Sequence, residues 1–313
     1  MYRIRTTALS AIILVIASAA HAQSTTDSVR VRWFPEQPQQ GSLVQLAVRL
    51  PGVRAVKDVA EATVNGHLAG QPLHFEAGID GTYRALGAIP IGSKETIPLM
   101  LEVQYANGDV DEPFLRVPVA VTEFAVERLR VASQFTQPPD SALQVRIAAE
   151  RRRSRAVVAR AHDMPRIWTG AFVMPVEGRV TSPFGKGREF NGRVQSRHYG
   201  TDLDGDTGRP VVAPNRGLVA LTHDTFYGGQ VVYLAHGDGL ITAYMHLSEI
   251  LVTQGDTVEQ GQVLGKVGAT GRVTGPHLHW LTRYGSVLVD PMSLFEIEAQ
   301  AFDMRAPSPP DTN

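Results

Sequence analysis

Residues 274–280 read Thr274-Gly275-Pro276-His277-Leu278-His279-Trp280. In an extended segment, residues two apart point to the same face. His277 and His279 therefore face one site, and Leu278 points the other way, into a core. Neutral imidazole is the commonest metal ligand among side chains, so two of them on one strand face are half of a metal site. The strand reading extends to the surroundings. From Trp168 onward, Gly178, Gly185, Gly200, Gly217, Gly239, Gly255, Gly261, Gly265, Gly268, Gly271 and Gly275 punctuate short apolar runs. Short runs cut by turn residues predict an all-β domain, here over residues 168–297.

Two further pieces supply partners for the histidine pair. His198-Tyr199-Gly200-Thr201-Asp202 places a histidine and a carboxylate four residues apart. Gly200 and Thr201 argue against a helix there, and in an extended segment the two also share a face. Tyr244-Met245-His246-Leu247 places His246 on a neighbouring strand-like run, in alternation with Tyr244. Taken singly, each piece also has a structural reading: His198 a loop residue, Asp202 a turn residue, His246 a buried core histidine. Taken together, two histidines and a carboxylate with a fourth position left to water make a catalytic zinc set. Such a metal lowers the pKa of its water to about 7 and polarises a carbonyl.

The ordered run of motifs resembles peptidase family M23, the LytM/lysostaphin-type zinc endopeptidases of peptidoglycan. It includes Phe172-Val173-Met174-Pro175-Val176-Glu177-Gly178, Thr181-Ser182-Pro183-Phe184-Gly185 and the His198–Asp202 run. Val211-Val212-Ala213-Pro214, His236-Gly237-Asp238-Gly239-Leu240 and Tyr244-Met245-His246-Leu247-Ser248 follow. Gly255-Asp256-Thr257-Val258, the 274–280 stretch and Asp290-Pro291 close it. The resemblance implies an antiparallel β fold holding one zinc ion on His198, Asp202 and His279. It implies His246 and His277 as catalytic residues and His236 as a structural position. The implied substrate is the stem-peptide cross-links of peptidoglycan. Of the two histidines, one acts as general base, assigned first to His277, and the other on the intermediate or the leaving amine; the sequence does not fix which does which. A catalytically silent wall-binding or regulatory module, a secreted protease on glycine-rich peptides and a purely structural zinc protein are the competing readings.

The rest of the chain sets the context. Its 313 residues suggest two domains, and 43% hydrophobic content excludes a disordered or fibrous protein. Lys and Arg number 30 against 31 Asp and Glu, which gives no electrostatic case for binding nucleic acid. With no Cys, there are no disulfides, and a metal site must use His and carboxylate ligands. Residues 1–22 combine Arg3 and Arg5, an apolar stretch and Ala20-His21-Ala22, the pattern of a secretory signal peptide. This predicts export, to the periplasm or beyond, and no later segment is apolar enough to span a membrane. Residues 23–123 read as an Ig-like antiparallel sandwich, with strands near 28–33, 43–48, 99–104 and 114–122. Turns are predicted at Pro51-Gly52, Asn65-Gly66, Asp80-Gly81 and Asn107-Gly108. His67 and His74 read there as strand or surface histidines. Residues 124–167 read as a helical connector, with a helix over 141–161. Arg151, Arg152, Arg153 and Arg155 form on it a basic cluster, either a solvated face or a contact with an anionic wall polymer or membrane surface. Residues 298–313 read as a loose tail.

Overall fold

The computed structural model describes residues 28–51, 62–78, 80–192 and 194–296. The expected signal segment 1–22 and tail 298–313 lie outside the described residues. Among the described residues, no helix is long and apolar enough to cross a membrane.

The N-terminal part is a pair of antiparallel sheets closed over one core. One sheet runs in the order Arg30–Phe34, Leu43–Arg49, Thr82–Ala88, Glu76–Ala77. The other runs Gln71–His74, Ala62–Leu68, Thr96–Tyr105, Val110–Asp111, with Phe114–Pro118 also paired to Thr96–Tyr105. Burial alternates along Thr96–Tyr105, so that Ile97, Leu99, Leu101 and Val103 face inward, the two-residue period of a strand. They meet Leu46, Val48, Val64 and Leu68 in one cluster. The predicted turn at Asn65-Gly66 is not one, since both residues lie inside the strand Ala62–Leu68. Gly66 is there for clearance: a Cβ would stand 2.8 Å from the Met100 carbonyl oxygen on the neighbouring strand. The chain turns instead at Ala69 and Gly70, both in the left-handed region.

The C-terminal part is built on a twisted antiparallel sheet. Its strand order is Val180–Ser182, Thr201–Asp204, His277–Tyr284, Leu240–Leu247, Gly229–Gly237, Gly217–Thr225, Thr257–Val258, with Val287–Val289 on His277–Tyr284. One face carries the main core, with Leu203, Tyr244, Leu278, Trp280 and Tyr284 fully buried. The opposite face carries Ile241, Ala243 and Leu281, against which Val157 of the helix Ser141–Ala159 packs. Asp140 caps that helix by accepting from the Leu143 amide at 2.8 Å, as N-cap residues do. Ile147 and Glu150 are its buried side chains. Glu150 accepts from Arg146 Nε at 2.7 Å and from the Phe226 amide at 3.1 Å.

Ahead of the helix, in the first part of the stretch 124–167 that the sequence suggested as a helical connector, the chain forms a strand and then a short 3-10 turn at Ser133–Phe135. Val126–Leu129 is a strand that pairs in parallel with Gly187–Phe190, which pairs antiparallel with Val194–Arg197. The N-terminal sandwich is seated on the C-terminal part by Tyr284 Oη donating to the Pro72 carbonyl at 2.8 Å and Gln71 Nε2 donating to Ser286 Oγ at 2.9 Å. His67 lies exposed in its strand. His74 is half-buried, with Nε2 2.9 Å from His162 Nδ1.

Candidate metal centre

The site forms where two central strands lie side by side. In the pairing of Thr201–Asp204 with His277–Tyr284, Asp202 is opposite His279 and Asp204 opposite His277. His198 precedes the first of these strands and arrives from the turn at Gly200. His198, Asp202 and His279 are all buried, and one ligand atom from each lies within 4.8 Å of the other two. His198 Nε2 is 3.0 Å from Asp202 Oδ1 and 3.0 Å from His279 Nδ1, and His279 Nδ1 is 2.7 Å from Asp202 Oδ1.

The donor set passes a test of fit to a metal ion. Arms of about 2.0–2.1 Å in a tetrahedron give ligand separations of about 3.3 Å; the three observed separations, 3.0, 3.0 and 2.7 Å, are shorter, so the ligands would spread slightly to take an ion. The tautomer of His198 is also suitable. Its Nδ1 lies 3.0 Å from the Pro183 carbonyl oxygen. A carbonyl can only accept, so Nδ1 carries the proton and Nε2 presents a lone pair to the cluster. Locking the far nitrogen in this way is the usual means of orienting a ligating imidazole. Burial opposes the charge on Asp202, but the bonds and charges of His198 and His279 outweigh it and hold the carboxyl far below the usual range. The site thus presents an anionic carboxylate between two imidazoles.

His246 and His277 stand beside this cluster. Their rings are 5.0 Å apart, and the His246 ring is 5.9 Å from that of His279. His277 Nε2 is 3.7 Å from Asp202 Oδ1. Both tautomers are set by backbone carbonyls: His277 Nδ1 donates to Gly275 O and His246 Nδ1 to Thr270 O, each at 2.8 Å. Each ring is left with Nε2 as its one lone pair. Burial first, then the charges of His279 and His277, push the pKa of His246 down to about 3.

Regular strand alternation would not have brought His246 here. Tyr244 is paired with Trp280 and Met245 with His279, so an undistorted strand would send His246 to the core face with Tyr244. His246 instead has φ 64°, in the left-handed region. That conformation costs a non-glycine residue of order 1–3 kcal/mol, and it turns the imidazole onto the face of His277 and His279. His236, by contrast, is fully buried away from the cluster. Its Nδ1 donates to the Arg216 carbonyl at 2.7 Å and its Nε2 is 2.8 Å from Thr242 Oγ1.

All five residues singled out from the sequence are brought together. Several neighbours were not anticipated. Arg188 Nη2 donates to Asp202 Oδ2, the oxygen turned away from the imidazoles. Its Nε donates to Glu127 Oε1 at 2.6 Å. Ser182 Oγ donates to Glu127 at 3.0 Å and lies 3.3 Å from His198 Nδ1. Arg272 stacks its guanidinium 4.0 Å from the Phe190 ring centroid and 4.9 Å from that of Tyr227. Ser182 lies in a motif already noted. Glu127 and Arg188 carry no local signal, because their pairing exists only once the two parallel strands meet.

Fold and site together define an antiparallel β domain with a buried His–Asp–His cluster able to hold a metal ion and two proton-accepting imidazoles beside it. Residues 196–291 match the model of peptidase family M23, and the chain carries a domain of that family. Over 130 residues it is 36% identical to the peptidoglycan DD-endopeptidase ShyC of Vibrio cholerae, a match spanning 41% of this chain and 30% of that one. Over 83 residues it is 47% identical to the peptidoglycan DD-endopeptidase ShyA of the same organism, spanning 26% and 19%. The chain thus spans less than a third of either relative's length. A solved Pseudomonas aeruginosa structure assigned to peptidase M23 aligns over 83% of this chain and 96% of its own, with TM-score 0.61 and 28% identity.

Proposed function

We propose that this protein is a zinc-dependent endopeptidase that hydrolyses peptide cross-links of bacterial peptidoglycan. The observation that carries this reading is the convergence of His198 Nε2, Asp202 Oδ1 and His279 Nδ1 within 4.8 Å, on a domain whose relatives are named for that activity. Zinc is the metal that suits two imidazoles and one carboxylate with an open fourth position. Held there, it supplies Lewis acidity to the scissile carbonyl and the attacking water.

The chain's own residues handle the protons. His277 is the general base. Its Nδ1–H is committed to Gly275 O, so Nε2 accepts the proton that the attacking water gives up. His246 starts neutral, with Nδ1–H committed to Thr270 O. It therefore begins as an acceptor at Nε2, takes up the second proton of the attacking water once the water oxygen has bonded to the carbonyl carbon, and gives that proton to the leaving amine as the C–N bond breaks. Such general acid–base steps typically contribute about 10²–10⁴-fold each.

The same reading takes residues 23–123 as an Ig-like domain that positions substrate, residues 168–297 as the peptidase domain and residues 1–22 as an export signal to the periplasm. The exposed Arg151, Arg152, Arg153 and Arg155 serve as a contact for anionic wall or membrane surfaces. The test is digestion of purified sacculi by the protein, with and without a zinc chelator, followed by mass analysis of the released muropeptides. Loss of cross-linked dimers with a matching gain of monomers, abolished by chelator, is the expected result. Zinc-loaded protein that leaves cross-linking unchanged would overturn the assignment.

A further inference from the structure

The metal ligands all belong to the C-terminal domain, yet the charge network behind them ends on a residue from the stretch ahead of the helix. Glu127 lies in the strand Val126–Leu129, directly opposite Arg188 in a parallel register. This strand is closely fitted: a Cβ on Gly185 would stand 2.1 Å from the Phe124 ring, and one on Gly187 would stand 3.0 Å from Val126. The amides of Gly187 and Asn191 donate to the carbonyls of Ala125 and Leu129, both at 2.9 Å.

We propose that Glu127 is a positioning residue of the metal centre, orienting Arg188 and Ser182 against the ligands Asp202 and His198. Glu127 reaches both ligands, each through one intermediary. Arg188 forks between two carboxylates, with Nε on Glu127 and Nη2 on Asp202 Oδ2. A planar guanidinium held at two points cannot rotate, so Asp202 is fixed with Oδ1 toward the imidazoles. Ser182 Oγ donates to Glu127, accepts from Arg188 Nη2 at 3.2 Å, and lies beside His198 Nδ1. Lys186 Nζ completes the cluster 3.4 Å from Glu127 Oε2.

Charge gives the arrangement a second consequence. Arg188 and Asp202 have side chains only 15% and 8% exposed, and Glu127 18%, so water screens them weakly. A guanidinium on the back of a ligand carboxylate opposes a divalent cation on its front. Glu127 is the anion that offsets that guanidinium. The peptidase domain expected from the sequence, residues 168–297, excludes it.

This inference rests on the metal-centre reading above, and the experiment separates the two. Zinc affinity of the whole chain is measured by competition with a chromophoric chelator, and the visible spectrum is recorded with Co²⁺ in place of Zn²⁺. Glu127→Gln is expected to weaken zinc binding about 10–100-fold, the usual effect of losing an outer-shell partner, and to alter the Co²⁺ spectrum. Thermal unfolding in excess chelator is expected to stay cooperative, with its midpoint falling only modestly, by the loss of the pairs with Arg188 and Lys186. Glu127→Asp, which keeps the charge, is expected to lose less. In an Arg188→Gln background, Glu127→Gln is expected to have a smaller further effect, because only the route through Ser182 to His198 remains. Wild-type affinity and spectrum in Glu127→Gln would overturn the proposal. So would a variant that fails to fold, since the residue would then serve the fold and not the metal. A wild-type chain that binds neither Zn²⁺ nor Co²⁺ would refute the metal-centre reading itself.

Discussion

Gly200→Ala tests how tightly the ligand geometry is held. A Cβ at position 200 would stand 2.6 Å from His279 Nε2 and 2.6 Å from the Trp280 carbonyl oxygen. Ordinary contacts begin near 3.4 Å, so one neighbour must retreat by roughly 0.8 Å or share the movement. The Trp280 backbone is held between two strands, opposite Thr201 on one side and Tyr244 on the other. The imidazole is the softer partner. Its Nδ1 is the ligand atom, and metal–ligand distances tolerate only about ±0.2 Å. The expected effects are an overpacking cost of about 1–3 kcal/mol and a loss of zinc affinity of about 100-fold, near 2.8 kcal/mol. Chelator competition and thermal unfolding in chelator read the two effects separately. Gly275→Ala is the matched control in the same site, since its Cβ would meet no heavy atom within 4 Å. Zinc binding by Gly200→Ala within threefold of wild type, with unchanged unfolding, would refute the steric argument.

His279→Ala is expected to abolish both stoichiometric zinc binding and hydrolysis, as measured by metal analysis after dialysis and by sacculus digestion. His246→Asn, whose side chain tolerates the left-handed backbone, is expected to keep its zinc and lose about 10²–10⁴-fold in turnover; near-normal turnover would remove His246 from the mechanism. Burial lowers the pKa of His236 from 6.5 to about 4, so the unfolded chain binds a proton there before the folded one does. Its contribution should leave stability constant above pH 6.5, then cost up to about 3 kcal/mol as pH falls to 4. Urea titrations at several pH values, repeated with His236→Gln, would show this slope flatten in the variant. Glu150→Ala strips an acceptor from the part-buried Phe226 amide and is expected to cost about 0.5–1.5 kcal/mol of stability, read from the shift of the urea midpoint.

Much of the site was legible because its ligands sit in short, rigidly periodic segments. His277 and His279 share a face by the pleat of a strand, whatever strand lies beside them. His198 and Asp202 are close along the chain. Asn65-Gly66 was misread for a physical reason: the pair is a common turn former, but here Gly66 meets a need for clearance against Met100 and Leu101 across the sheet. The strand Val126–Leu129 was missed because a parallel pair has no hairpin signal; its partner lies some 60 residues further along the chain.

The sequence alone determined the donor types, their spacing and the β character of the chain, since those follow from local chemistry and a two-residue period. Tertiary structure decided the rest. Asp202 and His279 are 77 residues apart, and only strand pairing brings their ligand atoms to 2.7 Å. His246 faces the cluster because its backbone leaves the strand conformation, against the alternation that its own neighbours imply. Arg188 and Glu127 reach the ligands through pairing that has no local signature. Periodicity places a side chain on a face; long-range packing decides what that face meets.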